Sequence, residues 1–292
     1  MVRGWLKSTV IFWGAIFLSL NSWNNLYCQE VKESARQAQL AKILEATGNY
    51  CERLKNLALY FVCQENIKEK TYAFRKTFTF SRLPGGFGSV ENLKVDKTEK
   101  TSYVYDYQMI KKGPDLKEKR ILLEENGKKT HEEDVELKTL RMSAKYLVFG
   151  PVGFLGQFWQ PHFRYEILGT EKIDRRPAIV IKASPNKVTA ENYCFGRIWI
   201  DEKDSSILRI EWEPESIANY KETVASPIGD LKRKITWTVV YGIVKNGIRF
   251  PSAQSIREVF VTMSGKEHIK YEAEYVYDRY KFFTVETDVQ IK

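Results

Sequence analysis

This sequence predicts a mainly β (α+β) protein: a curled antiparallel sheet, or an unclosed β-barrel, with helices covering its concave face. Three observations predict it. From Ala58 onward, runs rich in Val, Ile, Thr, Tyr and Phe recur at short spacing, many alternating apolar with polar positions. The pairs Asn126-Gly127, Asn246-Gly247 and Ser264-Gly265 supply hairpin turns, Asn-Gly being suited to the left-handed positions of a type I′ turn. Helical periodicity is confined to the start of the chain and to an aromatic interruption in its middle.

The first 28 residues read as a signal peptide. Arg3 and Lys7 form a positive n-region, and the apolar run 8–20 has the length of an h-region. It is shorter than the ~20 apolar residues that a spanning helix needs. Cleavage after Cys28 places a small residue at the last position; an uncut anchor and an acylated Cys28 are the alternatives. The chain after residue 28 is expected to be one domain, 29–292, located in the periplasm or secreted. Its opening helix covers residues 30–57, with Ala35, Ala38, Ile43, Leu44, Leu54 and Leu57 at helical spacing and Gly48-Asn49 as a weak point.

Strands are expected at 58–67, 71–82, 102–110 and 119–125. Pro84 to Gly88 is a loop, and it lacks the Lys-Ser/Thr of a phosphate-binding loop. Residues 139–163 break the β pattern: 144–149 and 154–159 read as short helices separated by Gly150-Pro151 and ended by Pro161. Strands resume at 164–173, 178–183, 196–201 and 207–212. Longer ones follow at 232–244, 248–261 and 267–277, and a last one at 282–291.

The formal charge is +9, of which Arg3 and Lys7 supply two. Lys and Glu are interspersed, as in Lys117-Glu-Lys-Arg120, which reads as a solvated face rather than a nucleic-acid footprint. A basic surface still favours peripheral contact with anionic headgroups. Export permits disulfides, and Cys51 near the helix end with Cys63 in the next strand is the candidate pair; Cys194 is left as a core residue. No CxxC is present, and His131, His162 and His268 have no zinc spacing, so neither metal nor cofactor is expected.

A search for catalysis finds no GxSxG, no His in motif context and no carboxylate pair set across a cleft. His162 beside the aromatic interruption reads as a half-buried histidine, and Glu211 beside Trp212 points to the opposite side of its strand. The protein is therefore not expected to be an enzyme. What remains is aromatic density. Phe149, Phe154, Phe158 and Trp159 in the interruption, with Trp199 and Trp212 on neighbouring strands, are the candidate lining of an apolar cavity. The glycines at 150, 153 and 156 would let that segment act as a lid.

Residues 167–185, with a strand reaching Gly169, a turn and a resumed strand, resemble a recurring unit of LolA-like proteins. Residues 197–211, with Trp199-Ile-Asp201 entering the turn, look like that family's next hairpin, and the tail 277–286 is similar to endings of such exported proteins. The resemblance covers residues 160–290. It implies the unclosed barrel wrapped on helices and an apolar cavity whose ligand is a lipid or the acyl chain of a lipoprotein. This chain is longer and more basic than the lipoprotein carrier and has no counterpart of that carrier's pocket residues, so the lipoprotein substrate does not carry over. The alternative is a non-enzymatic envelope interaction module, with the aromatic C-terminal strands offering an edge for strand addition.

Overall fold

The computed structural model describes residues 8–57, 60–83, 86–112, 115–139, 147–187, 195–217, 223–226, 229–262 and 265–283, with the backbone alone for 8–32, 76, 78–92, 111–115, 215, 223–226 and 229–230. Two compact units divide the chain, Met1–Glu45 and Ala46–Lys292. The first is helical: helix α1 covers Ser8–Leu57, so the helix expected from Glu30 begins earlier and its last turns belong to the second unit. Among the described residues no helix is long and apolar enough to cross a membrane.

The second unit is built on one large antiparallel sheet that does not close into a barrel. Its strands are β1 (Tyr60–Leu83), β2 (Gly86–Lys112), β3 (Asp115–Glu125), β4 (Lys128–Glu132), β5 (Phe163–Ile173), β6 (Arg176–Pro185), β7 (Gly196–Asp201), β8 (Ile207–Trp212), β9 (Thr223–Ser226), β10 (Gly229–Val240), β13 (Ala253–Val261) and β14 (Glu267–Phe282). The order across the sheet is β4-β3-β2-β1-β14-β13-β10-β8-β7-β6-β5, with β9 paired to β10. A separate hairpin joins β11 (Ile243–Lys245) to β12 (Ile248–Phe250). Asn126-Gly127 and Asn246-Gly247 take positive φ (50°, 79° and 52°, 71°), as a type I′ turn requires.

Three differences from expectation have physical causes. The strands expected at 58–67 and 71–82 are one strand, because polar Lys68–Thr71 still pairs on both sides, with β2 and with β14. The long strands expected at 232–244 and 248–261 are interrupted at Tyr241-Gly242 and Pro251-Ser252. There the Ser252 amide donates to Val240 O (2.8 Å) and its Oγ accepts from the Gly242 amide (3.1 Å). Gly48 does not break α1; a Cβ there would lie 2.8 Å from Gln157 Cγ, so the glycine admits the segment packed beside it. The last expected strand, beyond residue 283, and Cys194 lie outside the described residues.

The expected Cys51–Cys63 bridge is not formed: both are buried free thiols. They have different neighbours. Cys51 acts electrostatically on Tyr165 of β5, at one end of the sheet, whereas Cys63 on β1 shares a hydrogen bond with Tyr280 of β14.

One face of the sheet from β3 to β13 is buried and polar. Period-two alternation puts Phe61, Cys63, Glu65, Ile67 and Glu69 of β1 on it, beside Tyr103, Tyr105 and Tyr107 of β2 and Tyr271, Tyr275 and Tyr277 of β14. Glu65 is fully buried and accepts from Arg120 Nε (2.7 Å) and Nη2 (3.5 Å). The Arg120 guanidinium lies 4.4 Å over the Tyr107 ring, and Tyr107 Oη donates to Glu118 (2.5 Å). Glu69 accepts from Tyr271 Oη and from Thr101 Oγ1 (3.2 Å). Among the described residues this face carries a layer of buried charges and phenols joined by hydrogen bonds.

Candidate functional site

The aromatic interruption packs as a cover on the opposite half of the sheet. Leu147–Phe149 forms a 3-10 turn, and α2 (Val152–Leu155) follows Pro151, which its fixed φ suits for a helix start. A second turn, Gln160–His162, leads into β5. Leu147, Val148, Phe154 and Leu155 are buried. Asn186 holds the end of the cover, its amide donating to His162 O (2.9 Å) and its Nδ2 to Pro161 O (2.9 Å). Tyr241 Oη donates to Leu147 O (3.1 Å), Tyr165 Oη donates to Phe154 O, and Gln157 Nε2 donates to Asn49 Oδ1 (3.1 Å). Gly150 is required by close approach: a Cβ would lie 3.0 Å from Tyr241 Oη and 3.3 Å from Trp212 Cζ2.

Under the cover, Phe154 meets Trp212 edge-on (5.5 Å, 75°), and Trp212 lies against Trp237 (5.2 Å, 37°). The two tryptophans are register partners of β8 and β10. Both are buried, and neither indole N–H has an acceptor among the described residues. Buried polar groups are nearly always paired, so two adjacent orphans are unusual. Beside Trp212, a cleft of about 200 Å³ is lined by Arg197, Glu211, Glu213, Lys234 and Thr236. That is below the ~300–1,000 Å³ of typical ligand pockets.

Of the six aromatic residues expected to line one cavity, the fold brings Phe154 and Trp212 together. Phe149 is half-buried in the turn before them. Phe158 is 74% exposed and packs edge-on against half-buried Trp159 (5.2 Å), with His162 beside both. Trp199 sits on the other face of the sheet, because its register partner is Arg209 while that of Trp212 is Gly196. There it packs with Ala178, Val180 and Leu208, donates to Glu171 (2.8 Å) and carries the Arg209 guanidinium 4.4 Å over its ring. Trp237 was missed by sequence reasoning; its signal was the inward-facing parity of 235, 237 and 239 on a strand long enough to pair with β8.

The carboxylate of Glu211 takes both Arg209 (2.9 Å) and Arg197, so it is an ion-pair hub. Burial, followed by the charge of Lys266, holds the His268 imidazole below its ordinary pKa, and the ring abuts Phe74 (5.8 Å). Among the described residues no group of three His, Cys, Asp or Glu side chains could hold a metal.

No protein-family model matches the sequence, and no curated protein is significantly similar to it. Among solved structures the chain is similar to an outer-membrane lipoprotein-sorting protein domain from Vibrio parahaemolyticus (10% identity, 84% of this chain and 94% of that one, TM-score 0.37). It is also similar to a LolA superfamily protein from Nitrosomonas europaea (12%, 83% and 94%, TM-score 0.33) and to a chain of the Pseudomonas aeruginosa MucA/MucB complex (7%, 82% and 99%, TM-score 0.23). With identities of 12% or less and TM-scores of 0.37 or lower, these likenesses assign no ligand, partner or activity. The chain is thus similar in structure, over most of its length, to LolA-like proteins.

Proposed function

We propose that the protein is an exported, non-catalytic envelope protein that takes up a lipid or acyl chain between the sheet and the cover 147–163, at Phe154, Trp212 and Trp237. Phe149, Phe158 and Trp159 form the rim of the entry. The observation that carries this reading is the pair of buried indoles beneath the cover whose N–H groups lack acceptors among the described residues. Each unmatched N–H costs about 1–3 kcal/mol, and a carboxyl or ester oxygen on the ligand supplies the missing acceptor. No residue of the cover lines the cleft beside Trp212, so uptake between sheet and cover requires the cover to lift. Re-exposing Phe154 and Leu155 costs about 1.5–3 kcal/mol each, whereas a chain of about a dozen methylenes gains on the order of 10 kcal/mol at about 0.8 per methylene. The ligand term wins.

The test is native mass spectrometry of protein purified from the periplasm, solvent extraction of anything bound, and titration of tryptophan fluorescence with oleate. A stoichiometric lipid and a saturating fluorescence change are expected, with the change lost in Trp212→Phe/Trp237→Phe. An apo protein that also leaves oleate unbound sinks the reading. The alternative is an interaction module using its C-terminal strands as an edge; among the described residues β13 and β14 are interior, and the order ends at β4 and β5, with β9 beside β10.

A further inference from the structure

The β1–β2 hairpin runs on past every other strand. Pairing of β1 with β14 stops at Thr71, and pairing of β2 with β3 stops at Tyr103. The β1–β2 ladder continues from Tyr72↔Thr98 to Leu83↔Gly86, twelve further pairs with no third strand among the described residues. At about 3.3 Å per residue this ribbon is about 40 Å long. Its base is braced by Phe74 against His268 and by Lys270 Nζ donating to Tyr72 O (3.1 Å). Two-stranded ribbons are marginal in water, so one this long needs something to lie against.

The register makes the ribbon two-faced. Phe74 pairs with Val95 and Lys76 with Leu93; Val95 is 46% exposed. Continuing by alternation, Phe78, Phe80 and Phe87 hold register positions of that same face, with Lys76, Arg82 and one acid, Glu91, among them. The other face takes Arg75, Thr77, Thr79, Ser81, Lys94 and Asn92. Residues 72–98 hold five basic and two acidic residues, a net +3. Arg75 is engaged with Asp96 (3.5 Å) and Lys97 with Glu99 (2.5 Å), both exposed pairs that water screens. An apolar, aromatic face set with Lys and Arg is complementary to a bilayer interface, where rings enter the headgroup layer and cations meet phosphates. Strand addition by a protein partner would use the ribbon's edges and leave this face unexplained.

We propose that the ribbon 72–98 docks on an anionic lipid bilayer surface. This stands apart from ligand uptake beneath the cover, since it uses neither Phe154 nor the tryptophans. The test is flotation of the full chain with vesicles of phosphatidylethanolamine and phosphatidylglycerol, and with phosphatidylcholine alone. Binding to the anionic vesicles, weakened by salt, is expected. Lys76→Gln/Arg82→Gln should weaken it about fivefold per base, about thirtyfold together. Phe78→Ser/Phe80→Ser should abolish it. Both variants should melt with the wild type, because among the described residues the ribbon pairs with no third strand. The proposal is overturned if the chain ignores anionic vesicles, or if both variants bind as the wild type does. It is overturned equally if the Phe variant merely dissolves a self-associated dimer or loses a protein partner while vesicles stay unbound.

Discussion

Arg120→Met isolates the buried carboxylate of Glu65. In the native chain Glu65 is 0% exposed, and Arg120, 8% exposed, meets it at 2.7 and 3.5 Å. Glu118 is the other acid near Arg120, at 3.6 Å from Nη1, and adds no cation. Methionine fills most of the volume but leaves the Glu65 carboxylate without its counter-charge, and breaking a buried pair from one side costs about 3–5 kcal/mol. For a domain of this size about 2–4 °C of Tm follows each kcal/mol, so Tm should fall by about 6–20 °C. The double variant Glu65→Leu/Arg120→Met removes both charges and should return to within about 1–2 kcal/mol of the wild type. Urea denaturation of the wild type, both single variants and the double variant gives the coupling energy. A cost below about 1 kcal/mol for Arg120→Met, or a double variant that costs the sum of the singles, would refute the argument that the pair is desolvated and interdependent.

Other outcomes follow from the same geometry. Gly196→Ala drives a Cβ onto the carbonyl oxygen of Glu211 in the neighbouring strand, which backbone alone can relieve; a loss of about 1–3 kcal/mol or more is expected in thermal unfolding, and a neutral result would mean the β7–β8 ladder is looser than drawn. Burial pushes the Cys51 thiol up to about 12 and the Cys63 thiol higher still, so both should resist iodoacetamide in the native state at mildly alkaline pH and react after unfolding, read by peptide mass. Burial opposes ionisation of Glu272, but hydrogen bonds from Lys70 (3.0 Å) and Tyr72 (2.9 Å) prevail and hold its pKa below the ordinary value. A lowered folded pKa contributes stability above the unfolded value of ~4.3 and loses it as pH falls through the folded one. The urea midpoints of wild type and Lys70→Met should therefore differ near neutrality and converge in strong acid.

The sheet was legible because alternation and Asn-Gly turns are local signals, and the chain obeys them at 126–127 and 246–247. The polar buried layer was not. Lys117-Glu-Lys-Arg120 looks like a solvated face, yet in β3 the even positions turn inward, and Arg120 finds Glu65 from a strand more than fifty residues away. Burial of a charge depends on a partner that local sequence cannot name. The candidate cavity failed in part for a related reason. Trp199 and Trp212 do lie on neighbouring strands, but which face each takes depends on a register set by the 201–206 hairpin. The Pro84–Gly88 segment was read as a loop; Leu83 and Gly86 close the ladder there, and the residues on either side form the ribbon.

The order of strands also bears on how the chain reaches this state. β4 to β1 form one sequential run and β5 to β14 another, and among the described residues a ladder joins them at β1 and β14, as in Phe61↔Phe282. A chain emerging N-terminus first has a long aromatic edge on β1 that stays unmatched until β14 has been synthesised. Loop closure across such a separation is slow, and an open edge is a template for the wrong strand. The first half of this sheet therefore waits for its final strand, and the interval between them is when the chain is most in need of a chaperone.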